Sequence, residues 1–143
     1  KVIVSYLYQI YDREKIEGKV NERQVTSHLG VMEYTYKISS TKSLHIDVEH
    51  LYTKQDRGNW AMMMVELNIN SNFTLSASDE WNYGNKDSKK QFHYYNGSIN
   101  YVKDGTRISL SWARQRAGLL CVGGVCRFVP ASNGLSLTVS SRF

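Results

Sequence analysis

The sequence predicts an all-β protein, an antiparallel up-and-down transmembrane β-barrel with about eight strands in this chain. Three observations predict it. Segments of about ten residues alternate apolar and polar side chains along the chain, the two-residue period of a strand with unlike faces. The connectors between them alternate short and long, which in an up-and-down path sorts them to opposite ends. Three Trp, ten Tyr and four Phe are a rich aromatic supply, and they gather at the predicted strand ends.

Segment 1–11 reads as a strand whose faces the residues leave undecided, since Val2, Val4, Tyr6, Tyr8 and Ile10 oppose Ile3, Leu7 and Tyr11 as well as Ser5 and Gln9. Charge crowds into 12–24 without apolar periodicity, the pattern of a long solvated loop. The second strand, about 25–38, sets Met32, Tyr34, Tyr36 and Ile38 against Glu33, Thr35 and Lys37. A tight turn at 39–42 leads to the third, about 43–53, with Leu44, Ile46 and Val48 opposite His45, Asp47 and Glu49.

After the charged connector 54–59, the fourth strand sets Ala61, Met63, Val65 and Leu67 against Met62, Met64, Glu66 and Asn68. The fifth alternates Phe73, Leu75, Ala77 and Trp81 with Thr74, Ser76, Ser78 and Glu80, leaving Asp79 as the one charge on its apolar face. Loop 84–91 precedes the sixth strand, where Ile99 and Tyr101 oppose Ser98 and Asn100. Asp104-Gly105 is a strong hairpin signal into the seventh strand, with Ile108, Leu110 and Trp112 opposite Ser109 and Ser111. A long excursion, 114–133, leads to the last strand, in which Leu135, Leu137, Val139 and Phe143 oppose Ser136, Thr138, Ser140 and Arg142.

This pattern divides the residues into three expected groups. Trp60, Trp81, Tyr83 and Trp112 at the long-loop ends, with Tyr36, Phe73, Tyr101 and Phe143 at the short-turn ends, form aromatic girdles at two membrane–water boundaries. Glu33, Lys37, Asp47, Glu49, Glu66, Asn68, Ser76, Ser98, Asn100, Ser111 and Thr138 face the lumen. The last strand's Leu135, Leu137, Val139 and Phe143 resemble the C-terminal signal that the barrel-assembly machinery reads in its clients.

A formal charge of +5 is moderate, and no apolar run approaches the length of a membrane-spanning helix. One domain, 1–143, is expected. The chain opens directly on Lys1-Val2-Ile3-Val4 without a cleavable leader, which suggests a mature chain or a piece of a longer one.

Cys121-Val122-Gly123-Gly124-Val125-Cys126 is the sharpest local motif. A two-residue Gly-Gly turn sets the cysteines opposite each other at a hairpin tip, at a spacing suited to a structural disulfide; redox or metal roles need partners that the neighbourhood lacks. His45, Asp47 and Glu49 share one strand face and could form a ligand ladder or acid–base site, but they equally suit a lumen wall. No activated nucleophile or spaced carboxylate pair argues for an enzyme, and no cofactor is expected. The basic residues Lys86, Lys89, Lys90, Arg114, Arg116 and Arg127 suit either the phosphates of lipopolysaccharide or plain solvation. An oligonucleotide-binding barrel is disfavoured, because the aromatics sit at strand ends on the apolar parity, so no nucleic-acid partner is expected.

The passage from Arg114 through Cys121, Cys126 and Gly134 into LSLTVSSRF resembles the C-terminal end of an uncharacterised outer-membrane β-barrel family of the Bacteroidota, a domain of unknown function. The resemblance implies an outer-membrane location, contact with outer-membrane lipid, lipopolysaccharide and other outer-membrane proteins, and a barrel larger than this chain. A complete eight-stranded barrel is the rival reading. Two functions stay open, a porin-like pore or transport barrel for a small solute, and a non-conducting barrel whose outer loops serve a surface complex.

Overall fold

The computed structural model describes residues 1–12, 24–55, 57–122 and 125–142, with the backbone alone for 119–122 and 125–127. The expected loop 12–24 and the assembly-signal residue Phe143 therefore lie largely or wholly outside the described residues. Ten strands follow in order: β1 (Val2–Asp12), β2 (Gln24–Lys37), β3 (Ser43–Thr53), β4 (Trp60–Asn68), β5 (Phe73–Trp81), β6 (His93–Lys103), β7 (Thr106–Gln115), β8 (Gly118–Val122), β9 (Val125–Val129) and β10 (Ser132–Ser141). The one helical turn among the described residues is 3-10, at Ser88–Lys90.

Eight strands form a single antiparallel sheet in the order β1-β2-β3-β4-β5-β6-β7-β10, and β8 and β9 make a separate hairpin inserted between β7 and β10. The sheet is not closed, and β1 and β10 are its edges. The turns 38–42, 69–72 and 104–105 all fall at one end, with the longer connectors at the other. Local chemistry explains the tight turns. Asp104 and Gly105 both take positive φ, 47° and 77°, as a two-residue hairpin turn of the type I′ class requires. Asn70 Oδ1 accepts from the amides of Asn72 and Phe73, and Ser39 Oγ accepts from Lys42.

The register settles both faces. A line across paired residues runs Val2, Tyr34, Ile46, Val65, Ala77, Gly97, Trp112, Leu135, and the adjacent line runs Thr35, His45, Glu66, Ser76, Ser98, Ser111, Ser136. One face is thus apolar across all eight strands and the other mainly polar. Pairing of Ile3 with Glu33 assigns Val2, Val4, Tyr6, Tyr8 and Ile10 of β1 to the apolar face. The same line begins at the first residue of β1 but meets β10 at Leu135, six residues before its end, so the strands are staggered along the sheet.

The apolar face is uncovered. Leu135 is 73 % exposed, Trp112 58 % and Met63 51 %, and among the described residues only Val25 and Trp60 are buried apolar side chains. A water-soluble domain instead hides its apolar sheet face under a second layer.

What is buried lies at the long-loop end of the polar face: Val25, Ser27, Thr53, Trp60 and Asn82. Asn82 Nδ2 donates to the carbonyls of Arg57 and Asn59, at 2.9 and 3.1 Å, and its Oδ1 accepts from Asn85. Thr53 takes the Asn59 side chain on its amide and donates its hydroxyl to Thr26 O. The Gly84 amide completes the suture at 3.0 Å from Asn59 O. These bonds fasten the β3–β4 and β5–β6 connectors together.

Candidate functional site: the mouth of the polar face

All eleven residues expected to face a lumen share the polar face: Glu33, Lys37, Asp47, Glu49, Glu66, Asn68, Ser76, Ser98, Asn100, Ser111 and Thr138. Several of them join across strands. Asn68 accepts from Thr74 and donates to Ser43 and Glu66, while Ser76 and Ser98 share a hydroxyl bond of 2.7 Å. Asn100 donates to Ser98 and accepts from Arg107. Short polar groups satisfy one another here, leaving few orphaned donors on a face lined by strands.

Charge on this face is divided. Glu33, Asp47, Glu49, Glu66 and Glu80 all belong to β2–β5, with Lys37 beside them, whereas β7 brings Arg107 and the segment leaving it Arg116, which reaches Glu80; Arg114, at the end of β7, has the register of Trp112. His45, Asp47 and Glu49 do share the polar face, and His45 Nδ1 lies 3.1 Å from Thr35 Oγ1. Among the described residues no group of three or more His, Cys, Asp or Glu is placed to hold a metal ion.

The most developed geometry is at the long-loop end. The β6–β7 ladder stops at Asn96 and Ala113, and beyond it the β7 strand is free to lean away from β6. Arg114 then lies over the ring of Phe92 at 4.4 Å and near that of Tyr94 at 5.7 Å. Arg116 reaches Glu80 of β5 at 3.3 Å and covers Trp60 of β4 at 4.9 Å. In a flat sheet β7 and β4 lie about 14 Å apart, so Arg116 joins residues of strands that are not neighbours across the polar face. Trp60 also stacks on Tyr94, with centroids 6.0 Å apart.

Trp60 thus corrects its expected place in an outward aromatic girdle. It pairs with Leu51 and shares the parity of Met62, which puts it on the polar face, 8 % exposed. The other expected rings in strands, Trp81, Trp112, Tyr36, Phe73 and Tyr101, do lie on the apolar face. Tyr83 lies just past β5 and bonds His50.

The apolar face also carries a band that the sequence reading missed. Tyr6 OH meets His28 Nδ1 at 2.6 Å, His28 lies between Tyr8 and Tyr52, and His50 Nε2 meets Tyr83 OH at 2.6 Å. Trp81 stacks on His93, whose Nδ1 lies 2.6 Å from Asp79. The one charge on this face of β5 therefore has a histidine partner. Parity contained the signal, since His28, His50 and His93 all share the apolar register with Tyr or Trp neighbours.

In the β8–β9 hairpin the register sets Cys121 opposite Cys126, as expected; their side chains and the Gly123-Gly124 turn lie outside the described residues. So does the side chain of Arg127. Leu135, Leu137 and Val139 are exposed on the apolar edge of β10. Among the remaining basic residues, Lys90 pairs with Asp87 at 3.2 Å on the β5–β6 connector.

A family model of unknown function, DUF6029, matches residues 1–143, and the chain belongs to that family. No curated protein and no solved structure matches it.

Proposed function

We propose that the chain is part of an integral outer-membrane β-barrel protein, and that its polar face lines a pore or transport path for a small solute. The observation that carries the reading is the uncovered apolar face, continuous through eight strands with only two buried apolar side chains among the described residues. Lipid is the cover that fits it. The sheet strands are 9 to 14 residues long, enough to cross a hydrocarbon layer when tilted. Short turns collect at one end and long connectors at the other, as in outer-membrane barrels, and rings capable of hydrogen bonding sit near the strand ends. Closure is completed by pairing of the β1 and β10 edges with each other or with further strands.

Electrically divided walls suit selective passage of a charged solute. Reconstitution in a planar bilayer is expected to give discrete conductance steps. Correctly inserted protein that stays silent would reject the pore and leave the second reading, a plugged barrel serving a surface complex. Arg116, drawn across the polar face to Trp60, favours that alternative.

In this reading the β8–β9 hairpin stands at the outer surface, where thiols oxidise. Protein isolated without reductant is expected to show no free thiol at Cys121 and Cys126. Two titratable thiols would reject the disulfide.

A further inference from the structure

The cavity at the mouth has a chemistry that a general lumen wall does not require. It encloses about 450 Å³, and Arg57, Arg114, Arg116, Gln115, Ser132 and Asn133 provide its polar lining. Among the described residues no carboxylate lines it, although the polar face of the sheet carries five. Arg116 pairs with Glu80, while the described contacts of Arg114 are with ring faces and those of Arg57 involve its carbonyl. A guanidinium over an aromatic ring uses its charge there and keeps N–H donors available. Asn133 already accepts from Tyr95 OH on Oδ1, which leaves its amide N–H₂ to donate.

We infer that this cavity is a binding site for a phosphoryl group on a soluble molecule, held by Arg57 and Arg114 with Arg116 and Asn133 at its rim. Bidentate donation from guanidinium suits tetrahedral phosphate, and two cations not paired with carboxylates among these residues match a dianion. Tyr94, Gln115 and Ser132 have the polar-face register and Arg114 and Asn133 that of Trp112, so the cavity opens at the end of the sheet, beyond the last β6–β7 pair, where a soluble phosphate reaches it from solution. Arg116 and Glu80 form the adjustable side of the site, since incoming phosphate competes with the carboxylate for the same guanidinium. The inference does not rest on the membrane reading, because the same residues meet at the end of the sheet whatever covers the apolar face.

The test is calorimetric titration of the full chain, in lipid-free detergent, with inorganic phosphate against a chloride control of equal ionic strength. Saturable binding is expected, weakened about tenfold by Arg114→Gln and by Arg57→Gln. Arg107→Gln removes the same charge at the other end of the polar face and is expected to leave it unchanged. Arg114→Lys keeps the charge but loses the fork, and an intermediate affinity supports bidentate contact. Circular dichroism of each variant confirms the strand content. No saturable heat with inorganic phosphate or with micelles doped with phosphorylated lipid A, or equal losses in all three Gln variants, overturns the site. Binding to micelles doped with phosphorylated lipid A but not to inorganic phosphate overturns the soluble source.

Discussion

Ile99→Arg is expected to abolish assembly into the outer membrane, while Ser98→Arg on the neighbouring residue leaves assembled protein near the wild-type amount. Ile99 lies between Leu75 and Leu110 on the apolar face, and Ser98 lies between Ser76 and Ser111 on the polar one. An arginine facing lipid near mid-depth costs about 2–4 kcal/mol, a large part of the roughly 5–15 kcal/mol that keeps a domain folded. The same side chain in an aqueous lumen costs little. The comparison discriminates because its sign depends on the medium. If water met the apolar face, Ile99→Arg would increase solubility and Ser98→Arg would be the more disruptive change. The measurement is the fraction of folded, heat-modifiable protein in the membrane pellet, and equal behaviour of the two variants would reject the lipid-facing reading.

Gly58→Ala is expected to loosen the whole long-loop end. Gly58 has φ +75°, and a Cβ there would lie 2.0 Å from the Gly84 carbonyl oxygen. Left-handed strain alone costs an alanine about 1–3 kcal/mol. The backbone clash is then relieved only by parting the two connectors. That movement breaks the Gly84–Asn59 bond and the paired bonds of Asn82, each worth about 1 kcal/mol. A total of about 3 kcal/mol or more should appear as a lower urea midpoint and as faster tryptic cleavage after Lys54 or Arg57. Gly97→Ala is the control, since nothing lies within 4 Å of its added Cβ. If the two glycine variants unfold alike, the suture does not hold the mouth together.

Much of the sheet was legible because a two-residue period needs only local sequence. Leu44, Ile46 and Val48 against His45, Asp47 and Glu49 define their own faces. β1 did not, because Ile3, Leu7 and Tyr11 are apolar on the second face too, and only pairing with Glu33 and its neighbours resolves them. The Asp104-Gly105 turn was legible since its backbone demands those residues. The mouth was not. Asn59, Asn82 and Gly84 look like ordinary loop residues, and their bonds form between connectors far apart in sequence. Arg114 and Arg116 likewise read as loop charge until the folded chain brings them to Phe92, Trp60 and Glu80. A place at a strand end suggests an outward ring for Trp60, whereas its parity with Met62 favours the other face.

The stagger of the open sheet has a consequence for assembly. β1 and β10 run antiparallel to each other, and a shift of six residues would set Val4, Tyr6 and Tyr8 opposite Val139, Leu137 and Leu135. The phase is preserved because six is even; an odd shift would turn one edge inside out. The same pair of edges can meet within one polypeptide or between two. Between copies the contact is head-to-tail and leaves a fresh edge at each end, so nothing limits its repetition. Mass action therefore decides between a finished molecule and a growing ribbon. Tethered edges face each other at an effective concentration of the order of millimolar, far above that of a dilute neighbour. Crowding of unfinished chains erodes this advantage, and dilution while the edges are open is as much a condition of the fold as its hydrogen bonds.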